Sequence, residues 1–153
     1  MINKIIDKRM FSEMGEYGIS FASRNSGGND YEHAFIVWYY TDKKHLSTVR
    51  RAVGFYPSVG DFYELLVEGV PGKVIDDSKE EIDKQLIVLV NKNIFDSALM
   101  VEASYSDGTY RLLSNDCVSF VRKVALAINR ITVPNRITNI YPSSFISELF
   151  DSN

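Results

Sequence analysis

The order of hydrophobic and polar positions along the chain predicts a sheet accompanied by a few amphipathic helices. Aromatic and β-branched residues dominate the runs 31–40 and 86–90, and each run is long enough for a strand. Both faces of 31–40 are apolar, so we expect this strand to be central in the sheet and covered on both sides. Weaker patterns predict strands at 17–23 and 46–56, and the second should pair with 31–40 through a turn at 41–44.

Apolar residues at helical spacing predict helices at 3–14, from Asn91 to about residue 101, after Cys117, and at 143–150. Asn91 is expected to cap the second of these helices. Together with the strands, they indicate the α+β class, in which an antiparallel sheet packs against the helix that carries the cysteine.

Three connecting segments have compositions that bear on structure or chemistry. The loop 25–30 contains two glycines and is either a mobile rim beside the strand at 31–40 or a plain connection. The pair Pro71-Gly72 predicts a turn. The acidic run 76–83 suggests a metal site, but it has no nearby histidine and does not match the spacing of a calcium loop. We therefore interpret 76–83 as a solvated loop and predict no metal site.

Cys117 is the only cysteine in the chain, and polar residues that favour helix caps stand just before it. It should lie in the first turn of a helix, where the unpaired N–H groups and the helix dipole stabilise a thiolate. A free cysteine is also often a small buried hydrophobe, so position in the chain does not decide between these two roles.

His33 is the second candidate for chemistry, and the chain has only one other histidine, His45. A cysteine nucleophile needs a base that works near neutral pH, and histidine is the side chain suited to that role. His33 stands near the start of a predicted strand, where its side chain can face a cleft. A purely structural histidine is the alternative.

Four motifs stand in a definite order along the chain: His33-Ala-Phe-Ile, Gly54-Phe-Tyr-Pro57, Pro71-Gly-Lys-Val, and Tyr110-x-Leu-Leu-x-Asn-x-Cys-x-x-Phe120. In this order they resemble the circularly permuted branch of the papain-fold NlpC-type cysteine peptidases and amidases, in which the histidine strand precedes the cysteine helix. The tail, with Val133-Pro134 and Tyr141-Pro-Ser-Ser-Phe-Ile146, is similar to the end of such domains. The resemblance covers residues 31–149, and we expect 1–153 to form a single domain.

This resemblance implies a permuted papain-like fold and acyl transfer to water. Cys117 would attack a carbonyl, His33 would move the proton, and the backbone N–H of Cys117 would help to hold the oxyanion. A third polar group should orient His33, and the candidates in order are Tyr56, Asp30 and His45. His45 has the spacing of the second histidine in lecithin:retinol acyltransferase-like relatives, but a hairpin turning at 41–44 would place it far from His33.

Two positions depart from the pattern of the family that the chain resembles. Many relatives have glycine before the histidine and asparagine before the cysteine, whereas this chain has Glu32 and Asp116. An acidic Asp116 beside the thiol would oppose thiolate formation unless its carboxylate caps the helix.

Composition narrows the setting in which such chemistry could work. With 45% hydrophobic and 24% charged residues and a net charge of −3, the chain resembles an ordinary globular domain and gives no reason to expect nucleic acid as a partner. No apolar run reaches the roughly 18 residues of a membrane-spanning helix. The charged start does not resemble a secretory signal, so we expect a cytoplasmic location or export by a dedicated secretion system. No cofactor motif is present.

Three classes of function remain open. The first is a cysteine hydrolase that cleaves an amide bond in the peptide stem of peptidoglycan, for example a bacterial antibacterial effector, a toxin with an immunity protein as partner. The second is an intracellular isopeptidase or a lipid acyl hydrolase of the same permuted fold. The third is a binding domain that retains the fold and has an inert cysteine.

Overall fold

Seven strands form one sheet in the computed structural model of this chain, which describes residues 1–25, 32–44, 46–58, 63–105 and 108–153. The order across the sheet is β1-β6-β2-β3-β4-β5-β7. β1 and β6 run parallel, and the other neighbouring strands run antiparallel. The strands are β1 (Ile2–Asp7), β2 (Gly15–Arg24), β3 (His33–Asp42), β4 (Ser47–Pro57), β5 (Val70–Asp76), β6 (Lys84–Val90) and β7 (Thr109–Tyr110).

Three α-helices pack on one face of the sheet, and a single π-helical turn, Glu64–Glu68, connects β4 to β5. The helices are α1 (Lys92–Tyr105), α2 (Cys117–Leu126) and α3 (Pro142–Asp151). The main core lies between them and the sheet, where α2 contributes Phe120, Val121 and Val124. Burying a side chain of this size stabilises the fold by about 1.5–3 kcal/mol. The predicted α+β class is confirmed.

β3 is the central strand that the apolar run predicted, and its residues 33–38 are buried. Ile36 belongs to the main core, whereas Phe35 and Val37 alternate to the opposite face. There they form a smaller apolar cluster with Ala22 and Ala52. The first half of β3 is therefore covered on both sides.

The sheet divides at the beginning of β3. The pairing of β3 with β4 ends at Ile36↔Val53. β3 continues from there to His33 beside β2, and β4 continues to Pro57 beside β5. We call the opening between 33–35 and 54–57 the strand gap. His33 lies at its outer end, and the gap is where the candidate chemistry gathers.

The helix predicted at 3–14 is wrong, because residues 2–7 form β1 at the edge of the sheet. β1 lies beside β6 in parallel register, from Ile2↔Lys84 to Asp7↔Leu89. Its side chains alternate between the two sides, so that Ile6 packs on the core while Ile5 is exposed. This alternation has the period of a strand, and the pairing with β6 outweighs the helical pattern of the isolated segment.

Two smaller predictions also differ from the structure. Pro71-Gly72 does not form a turn but lies inside β5, where Gly72 pairs with Pro57. Glycine is needed there because a Cβ atom would collide with the ring of Phe55. The side chain of Asn91 does not cap α1 but bonds to the backbone of residues 10 and 11. Glu13 instead accepts the N–H at the start of α1. The remaining predicted strands and helices are found within a few residues of their predicted bounds.

Candidate functional site

Cys117 is the first residue of α2, and Asp116 is the N-cap of that helix. The Asp116 carboxylate accepts hydrogen bonds from the backbone N–H groups of Val118 and Ser119, each at 3.1 Å. The Ser119 hydroxyl accepts the backbone N–H of Asp116 at 3.2 Å in return. This capping box satisfies N–H groups that a helix start leaves open. The prediction that Cys117 lies in the first turn of a helix is confirmed.

Arg136, in the connection between α2 and α3, pairs with the Asp116 carboxylate through both of its terminal nitrogens. Nη1 lies 2.8 Å from Oδ1, and Nη2 lies 3.1 Å from Oδ2. The backbone N–H of Leu113 donates to Oδ2 at 2.9 Å. The acidic residue beside the thiol is therefore capped, paired and buried, with 4% of its surface exposed. Arg136 carried no sequence signal for this contact.

His33 has two polar neighbours, Asp77 from the other side of the strand gap and Cys117 from the start of α2. Its ring nitrogen Nε2 lies 3.0 Å from Oδ2 of Asp77. Its other neighbour is the side chain of Cys117, which lies close enough to raise the pKa of the imidazole. Because Nε2 faces Asp77, Nδ1 is the ring nitrogen left for Cys117. The structure thus brings together the two residues that the sequence indicated, and both are buried, with 5% of His33 and 7% of Cys117 exposed.

Asp77 corrects the interpretation of 76–83 as a solvated loop. Its neighbour Asp76 is exposed at the end of β5, but Asp77 is only 3% exposed and faces His33. Its backbone N–H is also fixed, by a 2.8 Å bond to the carbonyl of Ala52 on β4. The sequence contained only a weak indication that Asp77 is buried. Two adjacent carboxylates at the end of a strand point in opposite directions, so one of them can face inward.

Tyr56, the first-ranked candidate for the third polar group, reaches His33 in two ways. Its hydroxyl donates a short hydrogen bond to Oδ1 of Asp77, on the other side of the carboxylate from His33. Its ring stacks on the imidazole with centroids 4.5 Å apart. Asp30 and His45, the other candidates, lie outside the described residues, as does most of the loop 25–30.

Gly54 provides the space for the His33–Asp77 hydrogen bond. A Cβ atom placed on Gly54 would collide with Oδ2 of Asp77 and would lie 2.5 Å from Nε2 of His33. Only a residue without a side chain lets both groups approach the backbone of β4 here. The glycine of the second motif therefore has a structural reason in this chain.

The surroundings of His33 favour its protonated form. Burial is the largest influence and by itself lowers the pKa of His33, but the hydrogen bond to Asp77 and the interactions with Cys117 together outweigh it and raise the pKa from 6.5 to about 9. Burial and the bond to Asp77 also raise the pKa of Tyr56, which keeps that hydroxyl a donor. At neutral pH we expect an imidazolium whose positive charge faces the Asp77 carboxylate.

Tyr110, seven positions before Cys117, is buried beside it. Burial, followed by the charges of Cys117 and Asp116, raises the pKa of Tyr110, so its hydroxyl remains protonated. Its phenol oxygen also lies near the backbone N–H of Cys117, which acts to lower the pKa against the larger effect of burial. The first N–H of α2 and a phenol oxygen therefore meet next to the sulfur.

Two further contacts hold the frame of the site. Glu32, the residue before His33, accepts hydrogen bonds from the backbone N–H and hydroxyl of Ser143 at the start of α3. Arg24, opposite His33 on β2, forms a 2.6 Å ion pair with Glu80, which follows Asp77 in the same connection. Glu32 and Asp116 are the two residues that differ from the pattern of the resembled family. Each of them accepts hydrogen bonds from the start of a helix, Glu32 from α3 and Asp116 from α2.

Within the described ranges, no group of three or more His, Cys, Asp or Glu side chains is arranged to hold a metal ion. Among these same residues, no helix has the length and apolar character needed to cross a membrane.

Comparison with known proteins gave no match: no family model fits the chain, and no curated protein and no solved structure is significantly similar to it. The side chains of the site are therefore the basis for inferring a function.

Proposed function

We propose that this protein is a cysteine hydrolase that works through a covalent acyl-enzyme. The observation that carries the proposal is the chain of contacts from Cys117, at the start of α2, to His33 and on to the buried carboxylate of Asp77. A nucleophile, a base and a group that orients the base are the three parts that such chemistry needs. The order of the four sequence motifs, which resembles permuted NlpC-type peptidases, supports the same reading.

In the first half of the reaction, the Cys117 thiolate attacks the carbonyl carbon of the substrate and forms a carbon–sulfur bond. The carbonyl oxygen becomes an oxyanion as its π electrons move onto it. The backbone N–H of Cys117 lies at the start of α2 and serves as one donor to that oxyanion. The Tyr110 hydroxyl, which burial keeps protonated beside the same end of the helix, serves as a second donor.

When the tetrahedral intermediate collapses, His33 gives its proton to the leaving amine and an acyl thioester remains on Cys117. Neutral His33 then takes a proton from a water molecule, which attacks the thioester carbonyl. The second collapse releases the carboxylic acid and restores the thiolate and the imidazolium. Asp77 and Tyr56 keep the imidazole in one orientation through both halves.

The substrate that we propose is an amide bond in the peptide stem of peptidoglycan, which is the substrate class implied by the resemblance. The test incubates the purified protein with peptidoglycan sacculi and follows released fragments by mass spectrometry, with Cys117→Ala as the control. We expect fragments with a new carboxyl terminus from the wild type alone. Expression directed to the periplasm of a bacterium should cause lysis, whereas cytoplasmic expression should not. Intact sacculi, together with toxicity confined to the cytoplasm, would contradict this substrate.

A second candidate, hydrolysis of a lipid acyl bond, is favoured by apolar side chains exposed beside the Asp116 cap. Leu113 donates its N–H to Asp116, yet its side chain is 48% exposed. Its φ of 69° lies in the left-handed region that leucine rarely adopts. Ile137, next to Arg136, is 90% exposed. Such side chains could contact an acyl chain.

Chain-length dependence tests this candidate. An acyl hydrolase should prefer p-nitrophenyl esters of long fatty acids to the acetate, and Leu113→Asn should remove that preference while leaving hydrolysis of the acetate intact. Asparagine tolerates the left-handed conformation, so the fold should be retained. Equal rates on short and long esters would favour the peptide substrate.

A further inference from the structure

The charge at Asp116 poses a problem for the proposed chemistry. Asp116 directly precedes Cys117 in the chain. A negative charge on this carboxylate opposes a second negative charge on the neighbouring sulfur. The carboxylate is only 4% exposed, so water does little to screen it. Capping bonds stabilise the carboxylate itself, but the N–H groups that supply them carry no net charge.

Arg136 supplies the compensating charge. Both terminal nitrogens of its guanidinium bond to Asp116, one to each carboxylate oxygen, and Nη1 also contacts the Ser119 hydroxyl. Nη2 lies 3.4 Å from the carbonyl oxygen of Ile140. The pair joins positions 20 apart in sequence, so it ties the connection between α2 and α3 to the start of the helix. The two hydrogen bonds from the guanidinium fix the position of the Asp116 carboxylate, and the positive charge of Arg136 offsets its negative charge.

We propose that Arg136 is a positioning residue, which neutralises the Asp116 cap so that Cys117 beside it can carry the negative charge needed for attack. The pair replaces the neutral asparagine that many members of the resembled family have before the cysteine. It keeps a carboxylate as the helix cap without leaving an uncompensated charge next to the sulfur. This inference rests on the proposed function, because it matters only if Cys117 reacts as a thiolate.

The charged and titratable groups that face Cys117 from the described part of the chain include His33 from β3 and Tyr110 from β7, besides Asp116. Behind His33 stands Asp77, and behind Asp116 stands Arg136. His33 favours the thiolate, Asp116 opposes it, and Arg136 cancels the opposition. A change confined to the Asp116–Arg136 pair should therefore move the pH profile of the thiol and leave the His33–Asp77 contact in place.

The test measures the rate at which iodoacetamide alkylates Cys117 in the folded protein as a function of pH, by intact-mass spectrometry. Arg136→Gln should shift the profile upwards by about one pH unit, which slows alkylation about tenfold at pH values below its midpoint. Asp116→Asn should shift the profile in the opposite direction, because asparagine still caps the helix and Arg136 then adds a net positive charge. The double variant should return to within about threefold of the wild type.

Arg122→Gln is the matched control. Arg122 lies on α2 and also holds the connection between α2 and α3, through a 2.9 Å bond to the carbonyl of Pro134, but it does not contact Asp116. We expect this variant to be alkylated like the wild type. If it shifts the profile as Arg136→Gln does, the effect is a structural one and the inference fails.

The other outcomes separate the inference from the proposed function. If the folded wild type is not alkylated at any pH, the proposed function and the inference fail together. If the wild type reacts and either folded Arg136→Gln or Asp116→Asn has an unchanged profile, only the inference fails. Should Arg136→Gln not fold, the Asp116→Asn profile decides the question by itself, since the cap is preserved in that variant.

Discussion

The imidazole of His33 and the carboxylate of Asp77 lie 3.0 Å apart, although 44 positions separate the two residues in the chain. Both are almost fully buried, and the hydrogen bond spans the strand gap between the start of β3 and the connection after β5. A buried carboxylate without its partner would be costly, so this contact matters to stability as well as to the proposed reaction.

Replacing Asp77 should affect His33 in a way that replacing its sequence neighbour Asp76 does not. Asp77→Asn removes the charge that favours the imidazolium, so the pKa of His33 should fall from about 9 towards or below its ordinary 6.5, because burial then acts with less opposition. Hydrolysis should fall by about 10²-fold or more. NMR titration of the imidazole signals measures the first effect, and the chain has only two histidines to assign.

Asp76→Asn is the control for this experiment. Asp76 is exposed and bonds to Ser78, so its replacement should leave the His33 titration and hydrolysis unchanged. Equal effects of the two variants would show that the acidic run acts as a whole and that the Asp77 contact has no special role.

A methyl group on Gly54 should disrupt the pair sterically. In Gly54→Ala the new Cβ would push Asp77 away from His33, and overpacking of this kind costs about 1–3 kcal/mol. We expect a lower free energy of unfolding in urea and a large loss of hydrolysis. Gly18→Ala on β2 is the matched control, because its Cβ would meet nothing closer than 3.5 Å. A fully active Gly54→Ala would contradict the geometry described for the site.

Removing the nucleophile should separate function from stability. Cys117→Ala should abolish hydrolysis but lower the free energy of unfolding by only about 1 kcal/mol, because a single sulfur atom is lost. Leu86→Ala, at a fully buried position of β6, should cost about 2–5 kcal/mol. Urea denaturation of both variants gives the comparison. If the cysteine variant unfolds as easily as the leucine variant, Cys117 is mainly a core residue.

The stability of the fold should depend on pH through His33. Its pKa of about 9 lies above the ordinary 6.5, so the native state holds the proton more tightly than the unfolded chain does. This contribution is complete below about pH 6.5 and is lost as the pH rises through about 9. The difference in unfolding free energy between wild type and His33→Gln should therefore be larger at about pH 6 than at about pH 9.5. An equal difference at both pH values would contradict a raised pKa.

Sequence reasoning succeeded where the deciding contacts are local or patterned. The cap of α2 joins Asp116 to residues two and three positions later, so polar residues before an apolar helical pattern were enough to locate Cys117. The strand that begins at His33 was visible because both of its faces are apolar. Tyr56 was indicated by its position in the strand after the hairpin.

Contacts made between distant segments could not be predicted in the same way. Asp77 looks like any residue of a charged loop until β4 and β5 pair, and Arg136 meets Asp116 only after the connection from α2 to α3 has packed. β1 becomes a strand because β6 lies beside it. In each case the partner that decides the role is absent from the local pattern.

The strand gap is a place where the site could open locally while the secondary structure stays intact. His33 belongs to the side of the sheet that holds β2, whereas Tyr56 and Asp77 belong to the side that holds β5. From Phe35 back to His33, no backbone pairing between β3 and β4 joins the two sides. Local openings of this kind cost less free energy than global unfolding. During a urea titration, inactivation should therefore precede the loss of secondary structure, so that an intact circular-dichroism spectrum would be poor evidence of an intact catalyst.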